Sequence, residues 1–217
     1  MKRIHKKDMI TPELSEIVGA FIGDGFFNVY NKKHYIIEFT GHPLNDYDYY
    51  TQIIVPLMKY LFACKPHIQI RSRALRLRYY SKDIYLFFTK FLKLPAGKKS
   101  SIIKIPQIFL ENKKNLTSVL RGIFDTDGSI IWDKRGIYKN PYPRLSITTK
   151  SKSLDAQLFR ILKKMGFSPS LVRDNYKNNI SYHVDIYSKK SLDKWIKEIG
   201  FSNLNHIRRL CPSSSAS

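Results

Sequence analysis

Two aspartates in this 217-residue chain stand in the same local setting. Asp24 ends the run Gly19-Ala20-Phe21-Ile22-Gly23-Asp24-Gly25, and Asp127 ends Gly122-Ile123-Phe124-Asp125-Thr126-Asp127-Gly128, with the aspartates 103 positions apart. Each closes an apolar stretch that reads as a helix. A carboxylate at a helix C-terminus faces the negative end of the macrodipole, and two brought together repel. A hard divalent cation that seeks oxygen ligands relieves both penalties. Taken singly, Asp-Gly is an ordinary turn signal after a buried helix. Its duplication at matching positions points to a metal site instead.

The charge balance supplies the second half of that chemistry. There are 38 Lys and Arg against 17 Asp and Glu, a formal net charge of +21. So large an excess favours a polyanion as partner, because neutralised phosphates release their condensed counterions. A metal site and a phosphate-binding surface are thereby joined in one chain. The 13 Phe, 14 Tyr and 2 Trp are mostly core material, with some available to stack on bases. Cys64 and Cys211 stand in no metal-ligand spacing, which argues against a zinc site or a disulfide framework. Neither a membrane-spanning run nor a signal-peptide pattern follows Met-Lys-Arg-Ile-His-Lys-Lys, so the expectation is an intracellular protein with no membrane partner.

The elements that must position the aspartates also repeat. Lys65-Pro66 corresponds to Ser168-Pro169 at the same offset, and Tyr80-Ser81-Lys82 to Tyr187-Ser188-Lys189 at 107 positions, which asks for a longer second hairpin. The expected division is a first repeat at 1–94, a connector at 95–115, a second repeat at 116–210 and a frayed tail at 211–217. Each repeat reads helix, two strands, helix, two strands, helix, an α+β arrangement. Thr11-Pro12-Glu13 signals the first helix start, a Thr cap followed by Pro. Strands are expected near Phe26–Tyr30 and Tyr35–Thr40, then a helix over Asp46–Phe62 that Pro56 should end or kink. A hairpin over His67–Arg71 and Leu75–Tyr80 and a helix over Asp83–Phe91 complete the half. The second half repeats this at Leu116–Asp127, Ser129–Lys134, Arg144–Thr148, Leu154–Met165, Pro169–Arg173, Ser181–Tyr187 and Ser191–Ile199.

Gly19 and Gly23 lie four apart, as do Gly122 and Thr126, giving each motif helix a face almost without side chains. Two such faces can meet backbone to backbone and set Asp24 beside Asp127. Gly25 and Gly128 are then expected to permit a sharp exit from helix to strand.

The two motifs resemble those of LAGLIDADG homing endonucleases of the single-chain, double-motif type. Leu120–Gly128 follows the nine-residue pattern closely, and Ile17–Gly25 more loosely, with Gly23 where a small residue is usual. The connector Leu94-Pro95-Ala96-Gly97-Lys98-Lys99-Ser100, followed by Ile105-Pro106, is similar to that of archaeal, intron-encoded members. No splicing residues flank the domain, so a free-standing enzyme is expected. The resemblance implies two pseudo-symmetric αββαββα repeats packed through the motif helices in a monomer, each with a twisted antiparallel sheet that binds double-stranded DNA.

It further implies that Asp24 and Asp127 bind Mg2+ or Mn2+ at the scissile phosphates, helped by the carbonyls of Gly23 and Thr126. Asp125, the neighbouring carboxylate, falls on the structural side of the helix. The family often places a lysine at the end of the second strand. Lys150 fills that place in the second half, either as a catalytic helper or as an ordinary solvated lysine. The first half carries Gly41-His42 there, so either His42 substitutes or that half lacks a basic helper, and unequal cutting of the two strands is expected.

Strand alternation assigns the remaining residues. Arg76, Arg78 and Tyr80 project while Leu75, Leu77 and Tyr79 bury, with Gln69, Ile70, Arg71 and Arg73 opposite them. In the second half Arg144, Ser146 and Thr148, with Arg173, His183 and Asp185, make the equivalent surface. Such polar faces suit base edges in a major groove, or equally a solvated sheet surface. Lys32 and Lys33 in one loop, and Lys134 and Arg135 in another, are placed against phosphates. A cleavage-deficient DNA-binding protein or an intron RNA maturase of the same fold is the alternative, and a basic RNA-binding structural protein explains the charge but not the paired motifs.

Overall fold

A computed structural model describes residues 9–133, 141–177 and 179–210. The expected order of elements is present. Helix α1 (Pro12–Asp24) leads into strands β1 (Gly25–Tyr30) and β2 (His34–Gly41). A helix in three pieces follows: α2 (Tyr47–Tyr49), a π-helical turn (Tyr50–Ile54) and α3 (Val55–Phe62). Strands β3 (His67–Arg71) and β4 (Ala74–Tyr80) come next, then α4 (Lys82–Leu86), continued by a second π-helical turn at Phe87–Phe91. After a 3-10 turn at Gln107–Phe109, the second repeat runs α5 (Lys113–Asp127), β5 (Gly128–Asp133), β6 (Tyr142–Thr149), α6 (Lys152–Lys164), β7 (Pro169–Tyr176), β8 (Asn179–Tyr187) and α7 (Lys189–Glu198). A short helix, α8 (Leu204–Arg208), lies beyond the expected pattern.

The starts of the helices are written locally. The Thr11 hydroxyl oxygen accepts the Leu14 amide at 3.3 Å, and Pro12 occupies the first turn, where its missing N–H costs nothing. Helix α5 begins three residues earlier than expected because the Asn112 side chain caps it, accepting the Lys114 and Asn115 amides. Pro56 neither ends nor breaks its helix. The Val55 amide bonds back to the Tyr50 carbonyl, and this wider π turn makes room for the proline ring. Two hairpins turn on left-handed pairs, Asn31-Lys32 and Ser72-Arg73, all with φ between 50° and 63°.

Each repeat forms a four-stranded antiparallel sheet, in the orders β1-β2-β4-β3 and β5-β6-β8-β7. One face of each packs on helices. In the first repeat Phe21 of α1 stacks on Phe27 at 4.0 Å between ring centroids and meets Phe39 and Phe88. In the second its counterpart Phe124 packs on Trp195, Phe201 and His206. Full burial of one such side chain is worth about 1.5–3 kcal/mol. The connector is also part of the core: Leu94, Ile103, Ile105 and Phe109 are buried, and Gln157 of α6 bonds both the amide and the carbonyl of Ile105.

The two repeats meet along α1 and α5. A Cβ on Gly19 would strike the Val119 carbonyl, and one on Gly122 the Glu16 carbonyl, so the glycines allow true backbone contact. Arg121 closes one flank by bonding Glu16, with Nη2 at 2.5 Å from the carboxylate. Gly25 and Gly128 serve differently from expectation. Their φ values are −79° and −92°, in the extended region, so no left-handed exit is needed. Space is the reason: a Cβ would collide with the ring of Phe21 or Phe124.

Candidate metal centre and nucleic-acid interface

The helix contact sets Asp24 and Asp127 together. A Cβ on Gly23 would lie 3.2 Å from the Asp127 carboxyl carbon, and both carboxylates are half-buried. Burial, followed by repulsion from Asp127, pushes Asp24 up to about 7, against a pull downward from the Tyr50 hydroxyl that donates to it at 2.8 Å. Asp127 is pushed up to about 6 by burial, and nearby Lys99 draws it down. Ionising this pair is costly without added positive charge.

The chain supplies a buried cation of its own. Lys99, in the connector and only 8% exposed, donates to the carbonyls of Ile22 and Gly23 at 2.5 and 2.7 Å. Its burial lowers the ammonium to about 8, while Asp127 and Asp24 hold it up. Nothing in the local pattern of Gly97-Lys98-Lys99-Ser100 separates Lys99 from its neighbour Lys98, and sequence reasoning missed it. The only available signal was the apolar residues Leu94, Ile103 and Ile105 around it, which tie this stretch to the core.

The donor set fits a hard divalent cation. Asp24 and Asp127 would each supply a carboxylate oxygen, with the Thr126 carbonyl and the Gly23 carbonyl, which already accepts from Lys99, at the same helix ends. Among the described residues no third His, Cys, Asp or Glu joins them, so water and phosphate oxygens would complete the shell. Asp125 faces elsewhere. It is buried, accepts the Ser202 amide at 2.7 Å and sits beneath Asn203, which holds its carbonyl. Burial pushes Asp125 up to about 8.

Lys150 is exposed and lines a cleft of about 270 Å3 with Gly23, Lys99, Asp127 and Thr148. On the first repeat's side His42 is engaged in its own turn: its Nδ1 accepts the Leu44 and Asn45 amides, and its backbone amide bonds Asp46. The group that reaches Asp24 is the Tyr50 hydroxyl. The surroundings of the two aspartates therefore differ chemically.

The sheet faces turned away from the helices carry most of the residues expected to meet DNA. In the first sheet Arg71, Gln69, Arg76 and Arg78 share that face by register, and Arg73 and Lys32 sit in hairpin tips, with Lys33 following. Ile70 falls on the opposite face. In the second sheet Arg144, Ser146, Thr148, His183 and Asp185 share the outer face, but not equally. Ser146 and Asp185 are 5% and 2% exposed, and Asp185 accepts from Arg144 at 3.3 Å and Tyr187 at 3.0 Å. Asp185 anchors an arginine rather than projecting. His183 is held by Thr148 and Asp174. Arg173 pairs with Tyr182 in register and so lies on the helix-side face, contrary to expectation. Lys134, Arg135 and the tail at 211–217 lie outside the described residues.

Two four-stranded antiparallel sheets, joined through the paired helices α1 and α5, make this an α+β fold of two repeats. Residues 115–200, the second repeat, match the family model described as a LAGLIDADG-like domain. The fold is that of I-DmoI, solved in complex with DNA and Mn: the TM-score is 0.65 at 22% identity, covering 88% of this chain and 97% of that one. The chain is also similar in sequence to two curated proteins. It is 27% identical over 201 residues to a replication factor C small subunit of Thermococcus kodakarensis, covering 90% of this chain and 20% of that protein. It is 28% identical over 213 residues to a replicative DNA helicase DnaB of Rhodothermus marinus, covering 88% and 21%. The chain thus spans about a fifth of the length of these relatives. Among the described residues no helix is long and apolar enough to cross a membrane.

Proposed function

We propose that this chain is a homing endonuclease: a monomer that cuts both strands of double-stranded DNA at one long, pseudo-palindromic site with a divalent metal ion. The observation that carries this reading is the convergence of Asp24 and Asp127, one from each repeat, at the seam between two outward-facing sheets. A net charge of +21 makes a duplex the natural partner, and an I-DmoI crystal contains DNA and Mn.

Mg2+ or Mn2+ held by Asp24 and Asp127, with the Gly23 and Thr126 carbonyls, would supply Lewis acidity for in-line hydrolysis of the phosphodiester. The chain's own residues do the rest. Asp24 and Asp127 hold the metal only when ionised, and Lys99 favours that state from within the core. Lys150 stands at the mouth of the cleft, placed to polarise water beside the second half-site. Arg71, Arg73, Arg76, Arg78 and Gln69 in the first repeat, and Arg144, Thr148 and His183 in the second, face the duplex. Lys32, Lys33, Lys134 and Arg135 contact phosphates. Asp185 supports Arg144 from within the sheet, with Ser146 buried opposite Asp185.

The test is incubation of the chain with a randomised duplex library, with Mg2+ and with EDTA, followed by sequencing of the cut ends. Recurrent cleavage at one long sequence, only with metal, is the expected result. Binding without cleavage would favour the cleavage-deficient reading, and preference for structured RNA over duplex would favour the maturase.

A further inference from the structure

The outer face of the first sheet holds a feature that phosphate binding does not require. Phe26, Asn28, Tyr30, Ile36, Glu38 and Arg78 line an open cup of about 310 Å3. Phe26 is 40% and Tyr30 61% exposed, large apolar surfaces on a face otherwise rich in arginine. The strand register explains the grouping: Phe26 stands opposite Glu38, Asn28 opposite Ile36, and Glu38 opposite Arg78 on its other side. The cup begins two residues beyond Asp24 and runs outward towards the Asn31-Lys32 turn.

Its floor is an ion pair, with a bond to each oxygen of the Glu38 carboxylate. Arg78 Nε bonds one Glu38 oxygen, and the Thr40 hydroxyl donates to the other at 3.0 Å, with Arg76 at 4.0 Å. Glu38 is therefore committed to orienting its neighbours. Nε of Arg78 is used on Glu38 and Tyr80 also engages the guanidinium, so its remaining terminal N–H groups are the donors available to a base.

A duplex major groove presents one apolar group, the thymine C5-methyl, and two adjacent acceptors on guanine, N7 and O6, that match an arginine fork. We infer that the first sheet carries a two-base reading module, in which the cup takes a thymine methyl and Arg78, positioned by Glu38, takes the guanine of the neighbouring pair. The inference rests on the reading of the sheets as a DNA-binding surface and adds to it the identity of two bases.

The test uses the full chain and two randomised duplex pools, one prepared with thymine and one with uracil, which lacks only the methyl. Binding is selected with Ca2+ or EDTA present. From the thymine pool a thymine beside a guanine is enriched at one half-site. From the uracil pool the preference at that position falls about tenfold, the value of one methyl in an apolar pocket. Phe26→Ser and Ile36→Ser each erase the difference between the pools. Glu38→Gln relaxes the guanine preference about tenfold while binding to bulk DNA does not fall, since the variant gains net positive charge. Equal enrichment from both pools overturns the cup. A guanine preference unchanged in folded Glu38→Gln overturns its positioning role. Failure to retain any duplex refutes the DNA-binding reading itself.

Discussion

The ammonium of Lys99 lies 2.7 Å from the carbonyl oxygen of Gly23, a contact between residues 76 positions apart. It brings a connector cation to the backbone group expected to help hold metal, within electrostatic reach of both Asp24 and Asp127. The lysine thus acts on the same small volume in which the metal ion is proposed to sit.

Lys99→Met should lower the cleavage rate by roughly tenfold, the weight of about 1.4 kcal/mol of lost charge–charge interaction with the two carboxylates. It should also move the pH midpoint of metal binding upward, since Lys99 draws both carboxylates down. Titration of Mn2+ binding across pH 5 to 9 measures this without any cleavage. An unchanged midpoint would mean that Lys99 only packs.

Asp24→Asn and Asp127→Asn should each abolish double-strand cutting while leaving duplex affinity within a few fold, because neither residue lies on a sheet face. Gel shift alongside plasmid cleavage reads both properties. Normal cutting by both variants would show that the metal is held elsewhere.

Tyr50→Phe should slow one strand more than the other. The hydroxyl donates to Asp24, and its loss raises that carboxyl further. Nicking rates on strand-specifically labelled duplex should separate by about tenfold, the size of one charge-assisted hydrogen bond. Equal slowing of both strands would contradict independent surroundings for the two aspartates.

Stability should fall as pH rises in the metal-free protein. Asp127 at about 6, Asp24 at about 7 and Asp125 at about 8 all lie above the ordinary carboxylate value of 3.8. Between those limits the native state binds more protons than the unfolded chain, so stability present at low pH is lost through this window. Mg2+ at a hundred times its Kd adds about 2.7 kcal/mol. That increment should grow with pH, because protons compete for the same oxygens. Thermal melts at pH 5.5 and 8.5, with and without Mg2+, check the sign.

Gly122→Ala should destabilise by about 1–3 kcal/mol or more, because the added methyl meets the Glu16 carbonyl across the seam. For a chain of this size that is a melting drop of at least about 2–4 °C per kcal/mol. An unchanged melting point would mean that α1 and α5 can separate at no cost.

Sequence alone determined the parts that depend on near neighbours. Thr11-Pro12 starts α1, the alternation of Leu75 to Tyr80 marks an outer and an inner face, and the repeated glycines allow two helices to meet backbone to backbone. Those signals are short-range, or duplicated, and survive without knowledge of distant contacts. The tertiary structure decided what depends on register and on long loops. Arg173 turns to the helix side because it pairs with Tyr182 and not with His183. Asp185 buries beneath Arg144 and Tyr187, and the Tyr50 hydroxyl reaches Asp24 across 26 positions. Lys99 enters the core because apolar residues on both sides of it are anchored there. A lysine's pattern in sequence is the same whether it ends in water or between two aspartates, and only the packed chain separates the two.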